Sequence, residues 1–103
     1  MQNNDQLDFP RLSRKESLIL EMLVSSTSEI FGLEMVQASK GELKRGTVYV
    51  TLKRMEDKGL IESRTEARTG GEIGIPRRLY RITGHGKRVL AVMNTARDVV
   101  FAV

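Results

Sequence analysis

GTVYVTLKRMEDKGLIES (residues 46–63), the basic and glycine-rich stretch after it, and IPRRLYRIT (residues 75–83) decide how this chain folds. At about 100° per residue, Val48, Leu52 and Met55 share one side of a helix over 45–58, which Gly59 ends. Gly46, Val50, Lys53, Arg54 and Asp57 lie on the far side, with Thr47, Tyr49 and Thr51 on the flanks. Leu60 and Ile61 begin a strand expected to run to about Arg68. Thr69-Gly70-Gly71 is a turn signal, Gly74 and Pro76 keep the loop irregular, and 78–83 form the return strand. There Leu79 and Arg81 alternate with Tyr80 and Ile82, so the two faces differ. A part-apolar, part-basic helix that leads into a ribbon with glycines at its tip and arginines on its flanks is the layout of a winged helix-turn-helix. The fold class is therefore mainly α with a small two-stranded β wing. Such a unit puts a helix into a DNA major groove and a hairpin against the neighbouring backbone.

Upstream, residues 1–12 lack periodicity and read as a flexible arm. Ser13 and Glu16 have capping-box spacing, so the first helix begins at Ser13. Leu18, Ile19, Met22 and Leu23 supply its apolar stripe, and the polar run Ser25–Ser28 ends it. A second helix is expected over 30–39, with Leu33, Val36 and Met35 on its buried side. Gly32 lies near its start, where a missing Cβ lets another backbone come close. Lys40-Gly41 stops it. Downstream, Thr83 is the N-cap of a last helix, weakened in its first turn by Gly84 and Gly86. The spacing of Val89, Val92, Ala96, Val99 and Val103 is that of an a/d seam. Leu90, Met93 and Val100 make an adjacent stripe. Two apolar stripes on so small a domain predict two partners, its own core and a second copy of the chain. The organisation is thus an arm (1–12), a winged helix-turn-helix domain (13–83) and a dimerisation helix (84–103).

The 103 residues suit one small domain. With no cysteine, a disulfide framework and a thiolate metal site are excluded, and the single histidine argues against a histidine metal cluster. The N-terminus has neither a basic nor an apolar signal region, and no run is long enough to span a bilayer, so a cytoplasmic protein is expected. No pattern joins His85 to a nucleophile, and Gly84-His85-Gly86 and Gly70-Gly71 are turn chemistry rather than phosphate loops. Neither an enzyme nor a cofactor is expected. Residues 40–88 hold 13 of the 17 Lys and Arg and 6 of the 13 acids, an excess of seven positive charges, while the rest carries a net three negative. The excess falls on the reading helix and the wing, as a polyanion-facing surface requires.

Within that surface, Thr47 and Thr51 can donate to a phosphate or a base. Val50 is either an apolar contact for a thymine methyl or a tolerated surface valine. Tyr49 either donates its hydroxyl to a phosphate or locks the helix on the sheet. Lys44 and Arg45 cluster with Lys40 at the helix start, where backbone N–H groups also favour an anion. Lys53 and Arg54 complete the helix patch. On the wing, Arg64 and Arg68 lie on the outgoing strand; Arg77 or Arg78 is the expected contact. Glu62, Glu66 and Glu72 can pair with these arginines across the ribbon.

Phe31-Gly32-Leu33-Glu34-Met35, Gly46-Thr47-Val48-Tyr49, Leu52, Arg54-Met55-Glu56 and Lys58-Gly59-Leu60-Ile61 together resemble the PadR family of bacterial transcriptional regulators. Pro76–Thr83, Gly86 and Leu90 are similar to that family's wing and fourth helix. The likeness covers residues 14–93. It implies a dimeric winged-helix repressor whose last helix makes the dimer. The third helix and wing would contact an inverted repeat in double-stranded DNA. The family's contact positions carry over to Thr47, Tyr49, Val50 and Lys53, with wing contacts near Arg77 and Arg78. Some members sense a small aromatic effector between the domain and the dimer helices. Val50 stands where proline is frequent, and Phe31 and Leu33 where tyrosines are common. A short last helix and the lack of tryptophan favour DNA binding without a built-in ligand. Two other readings stay open: a winged helix that binds another protein, and a ligand-gated sensor lined by Met22, Met35 and Met93.

Overall fold

The structure, a computed structural model, describes residues 11–26, 29–66 and 77–102, with the backbone alone over 97–102. Helix α1 spans Arg14–Ser25. The capping box forms as its spacing predicts: Glu16 N–H donates to Ser13 Oγ at 3.1 Å, and Ser13 N–H donates to Glu16 Oε1 at 2.9 Å. Ile19, Leu20 and Leu23 are its buried apolar side chains, and Leu18 and Met22 pack at the core's edge.

The next residues overturn part of the sequence reading. Ile30–Phe31 form a short strand, β1, and helix α2 is only Gly32–Ala38. The sheet therefore has three strands rather than two, in the order β1-β3-β2. Two residues are too few to show alternation, so this strand has no signature of its own. In place of a serine or threonine cap, α2 has Glu34, whose carboxylate accepts the Phe31 N–H at 2.7 Å. Met35 is wholly buried, whereas Leu33, expected inside, is exposed. The turn that follows uses left-handed backbone at Lys40 and Gly41. Buried Ser39 donates to the Val36 carbonyl and accepts the Leu43 N–H, which pins Leu43 in the core.

Helix α3 spans Val48–Asp57, starting three residues later than the pattern suggested. Thr47 and Val48 both donate to the Lys44 carbonyl, so 45–47 are a tight turn against the helix rather than part of it. Val48, Leu52 and Met55 are buried as predicted. At its far end Gly59 N–H donates to Glu56 O and Leu60 N–H to Met55 O. This is a Schellman closure, and it needs the left-handed φ of 78° that Gly59 adopts.

The wing pairs β2 (Ile61–Thr65) with β3 (Arg78–Ile82), antiparallel, with Ile61 opposite Ile82, Ser63 opposite Tyr80 and Thr65 opposite Arg78. Residues 67–76, with Arg68, the Thr69-Gly70-Gly71 turn, Glu72, Gly74 and Pro76, lie outside the described residues, as does the arm over 1–10. Tyr80 enters the core and Leu79 is also buried, on the other face of the central strand. Strict in-and-out alternation is lost there, with Leu79 flanked on its own face by Phe31 of β1 and Arg64 of β2.

Helix α4, Gly84–Ala102, begins on the predicted cap, with Gly86 N–H donating to Thr83 Oγ1 at 2.9 Å. Gly86 is needed for packing: a Cβ there would stand 2.1 Å from the Leu60 carbonyl oxygen. Val89 and Leu90 complete the core with Ile19, Leu52, Met55 and Ile61, and Met93 packs against it. Val89, placed on the intermolecular seam by its spacing, is thus already covered by its own chain. Val92 remains 43% exposed, and Ala96 is exposed beside it. The side chains of Val99, Val100 and Val103 lie outside the described residues. No helix among the described residues is long and apolar enough to cross a membrane.

Candidate nucleic-acid interface

Burial of Val48, Leu52 and Met55 turns the opposite side of α3 outward. Lys44, Arg45, Thr47, Lys53 and Arg54 are exposed, Val50 is 59% exposed and Tyr49 50%. Among the described residues, Lys44, Arg45 and Arg54 take part in no ion pair. Lys53 holds Asp57 one turn on, at 2.8 Å. Both partners are largely exposed, so this pair is weak and a phosphate can displace it. Thr51 is half-buried, and its hydroxyl lies 3.4 Å from the Thr47 carbonyl, within α3's own backbone. Of the two threonines, Thr47 is the more open to a ligand.

Tyr49 packs beside the start of α2. A Cβ on Gly32 would lie 2.7 Å from its ring, so the glycine leaves room for a side chain, not for a backbone as its position suggested. The ring is seated while half of the residue stays in solvent. Tyr49, Lys53 and Glu56 from α3, with Arg78 and Tyr80 from β3, line a cleft of about 470 Å³ between helix and wing.

The wing's two faces differ in charge. On the outer face Arg64 makes a bidentate pair with Glu29, Arg81 pairs with Glu62, and Arg77 pairs with Glu66 at 3.3 Å. The Arg77 guanidinium also sits 4.3 Å above the Phe31 ring. The cross-ribbon neutralisation that Glu62 and Glu66 suggested is present, and Glu29 from outside the ribbon adds to it. Arg64 hydrogen bonding holds the Glu29 carboxyl below the usual carboxylate range. Arg78, of opposite parity, faces α3. Its Nη1 donates to Ser63 Oγ at 3.1 Å, and Ser63 Oγ donates to Glu56 Oε2 at 2.9 Å. Sequence reading missed both Ser63 and Glu29, whose partners are 15 and 35 residues away and leave no local pattern.

Another pair braces α3 from behind. Lys58 Nζ donates to Glu16 Oε2 at 2.9 Å, and Glu16 is buried at 4% exposure. Burial alone would raise the Glu16 carboxyl. The Ser13 N–H and the Lys58 ammonium outweigh it and hold the pKa below the usual value. Among the described residues no group of acids and histidines could hold a metal ion. His85 is exposed in the first turn of α4.

Residues 19–92 match the transcriptional regulator PadR-like family. No curated protein sequence is significantly similar to the chain. Among solved structures, a PadR family regulator from Clostridium difficile superposes with a TM-score of 0.72 at 28% identity, over 87% of this chain and 93% of that one. One from Eggerthella lenta gives 0.66 at 28% identity, over 86% and 79%. Bacillus subtilis PadR, solved in complex with operator DNA, gives 0.61 at 26% identity, over 73% of this chain and 43% of that larger one.

Proposed function

The chain belongs to the PadR-like family of transcriptional regulators, and from that membership we propose that it represses transcription by binding an inverted-repeat operator as a homodimer. Helix α3 enters the major groove, and the wing lies along the flanking backbone. The observation that carries this reading is the outward face of α3, where Val50 and Tyr49 stand among Lys44, Arg45, Lys53 and Arg54, opposite the Arg78 side of the wing. The cations attract and position the duplex, while Val50 offers an apolar edge to a thymine methyl. The relative solved with operator DNA supports this assignment. Arg78 is the wing residue suited to a phosphate. Arg77, stacked on Phe31 and paired with Glu66, is committed to the outer face. The apolar strip of Val92 and Ala96 on α4 supports the dimer. A dimer lying across a promoter blocks it without further machinery, which favours repression over activation.

Substitution of Lys53 and Arg54 together by alanine tests the reading. Titration of labelled duplex across a salt series is expected to show a log–log slope shallower by about two. At about 150 mM salt the affinity is expected to fall on the order of tenfold or more. Unchanged affinity in the double variant would remove α3's outward face from the interface.

A further inference from the structure

Ser63 has no charge, lies on a strand and touches no base or phosphate in the reading above. It nevertheless occupies the one point where α3 and the wing are joined by side-chain hydrogen bonds among the described residues. Its hydroxyl hydrogen goes to Glu56 Oε2 at 2.9 Å, which leaves the oxygen's lone pairs to the Arg78 guanidinium at 3.1 Å. Ser63 stands opposite Tyr80, so Arg78 reaches it as a diagonal cross-strand neighbour. Arg64, Arg77 and Arg81 each face a carboxylate directly. Arg78 instead meets a neutral hydroxyl, with the carboxylate one bond further on.

That difference has a physical consequence. A guanidinium in direct contact with a carboxylate must break an ion pair before it can hold a phosphate. A guanidinium held by a hydroxyl is oriented but keeps most of its donors and its full charge. Lys53, Tyr49 and Glu56 from α3 also line the cleft it borders, the Lys53 ammonium resting on exposed Asp57 one turn on. We propose that Ser63 is a positioning residue for DNA binding: fixed by Glu56, it orients Arg78 across the helix–wing cleft toward a backbone phosphate that Lys53 and Tyr49 approach from α3. The proposal rests on the DNA-binding function above and adds to it a residue outside the contact surface.

Because Ser63 is neutral, its replacement changes no charge. A change in the salt dependence of binding then reports the position of Arg78 rather than a lost cation. The test titrates duplex, over a salt series, with the full chain and with Ser63→Ala, Ser63→Thr, Arg78→Ala and the double variant Ser63→Ala/Arg78→Ala. Melting curves establish that each is folded. Arg78→Ala is expected to lower the log–log slope by about one and the affinity about fivefold at 150 mM salt, as loss of one phosphate contact does. Ser63→Ala is expected to weaken binding at least twofold with a shallower slope. Ser63→Thr, which keeps the hydroxyl on a strand, is expected to restore both. The double variant is expected to bind no more weakly than Arg78→Ala alone. Ser63→Ala with wild-type affinity and slope, beside a weakened Arg78→Ala, would overturn the positioning role and leave the DNA-binding reading intact. Additive losses would overturn it equally. Absence of salt-dependent duplex binding by the parent chain would instead overturn the function on which the role rests.

Discussion

Gly32 and Tyr49 show how one residue can set the geometry of a contact that it does not make. The Tyr49 ring occupies the space where a Gly32 Cβ would be, and it keeps half of its surface in solvent. Gly32 is not in left-handed backbone, so alanine brings no backbone strain and removes some unfolded-state entropy, but its Cβ would stand 2.7 Å from the Tyr49 ring, which must shift. Gly32→Ala is therefore expected to change the melting temperature little while it displaces the ring. Duplex affinity should fall about fivefold, the factor carried by one hydrogen bond of about 1 kcal/mol. A lower melting temperature with unchanged affinity would make Tyr49 a purely structural aromatic.

At the scale of the element, α3 is held against the rest of the domain by what lies behind it. Glu16 caps α1 and pairs with Lys58 just beyond α3's last turn, so one buried carboxylate joins the two helices. Its folded pKa lies below its ordinary 4.5. The stabilisation is therefore complete above that value and is lost as pH falls through the lower, folded one. Glu16→Gln is expected to cost about 1–2 kcal/mol at neutral pH. Denaturant melts of the two proteins should converge as the pH falls through the lowered, folded pKa of Glu16. A constant gap across that range would mean that the charge of Glu16 contributes nothing. The elements themselves were unequally legible. Val48, Leu52 and Met55 repeat often enough to mark α3's inner side, and Ser13 with Glu16 announces α1. By contrast, β1 is two residues long, and α2 has seven, too few turns to tell Leu33 from Met35 as the buried residue. The three-residue shift at the start of α3 comes from the turn over 45–47: Thr47 N–H closes back on the Lys44 carbonyl three residues before it, and Thr47, with φ of −124°, stands outside helical backbone as the N-cap.

At the scale of the molecule, the charge asymmetry and the last helix are the features a sequence displays best, since neither depends on a particular contact. What escaped it is long-range pairing. Glu29 with Arg64, Glu56 with Ser63 and Arg78, and Gly86 against Leu60 join residues that no periodicity connects. These contacts decide which wing arginines are already occupied. Helix α4 divides its apolar residues between two tasks. Val89, Leu90 and Met93 close the domain's core, and Val92 and Ala96 stay outward. Sedimentation at micromolar concentration is expected to show a dimer, and Val92→Glu is expected to give a monomer with an unchanged melting profile for the domain. A monomeric parent chain would remove the paired half-sites.

Repression by a homodimer demands most of the DNA itself. Selection of bound sequences from a random duplex pool at about 150 mM salt weakens non-specific phosphate binding and leaves base recognition to decide what is retained. A homodimeric repressor is expected to retain an inverted repeat with half-sites about one helical turn apart. Recovery of no motif, or of a single unpaired half-site, would contradict it.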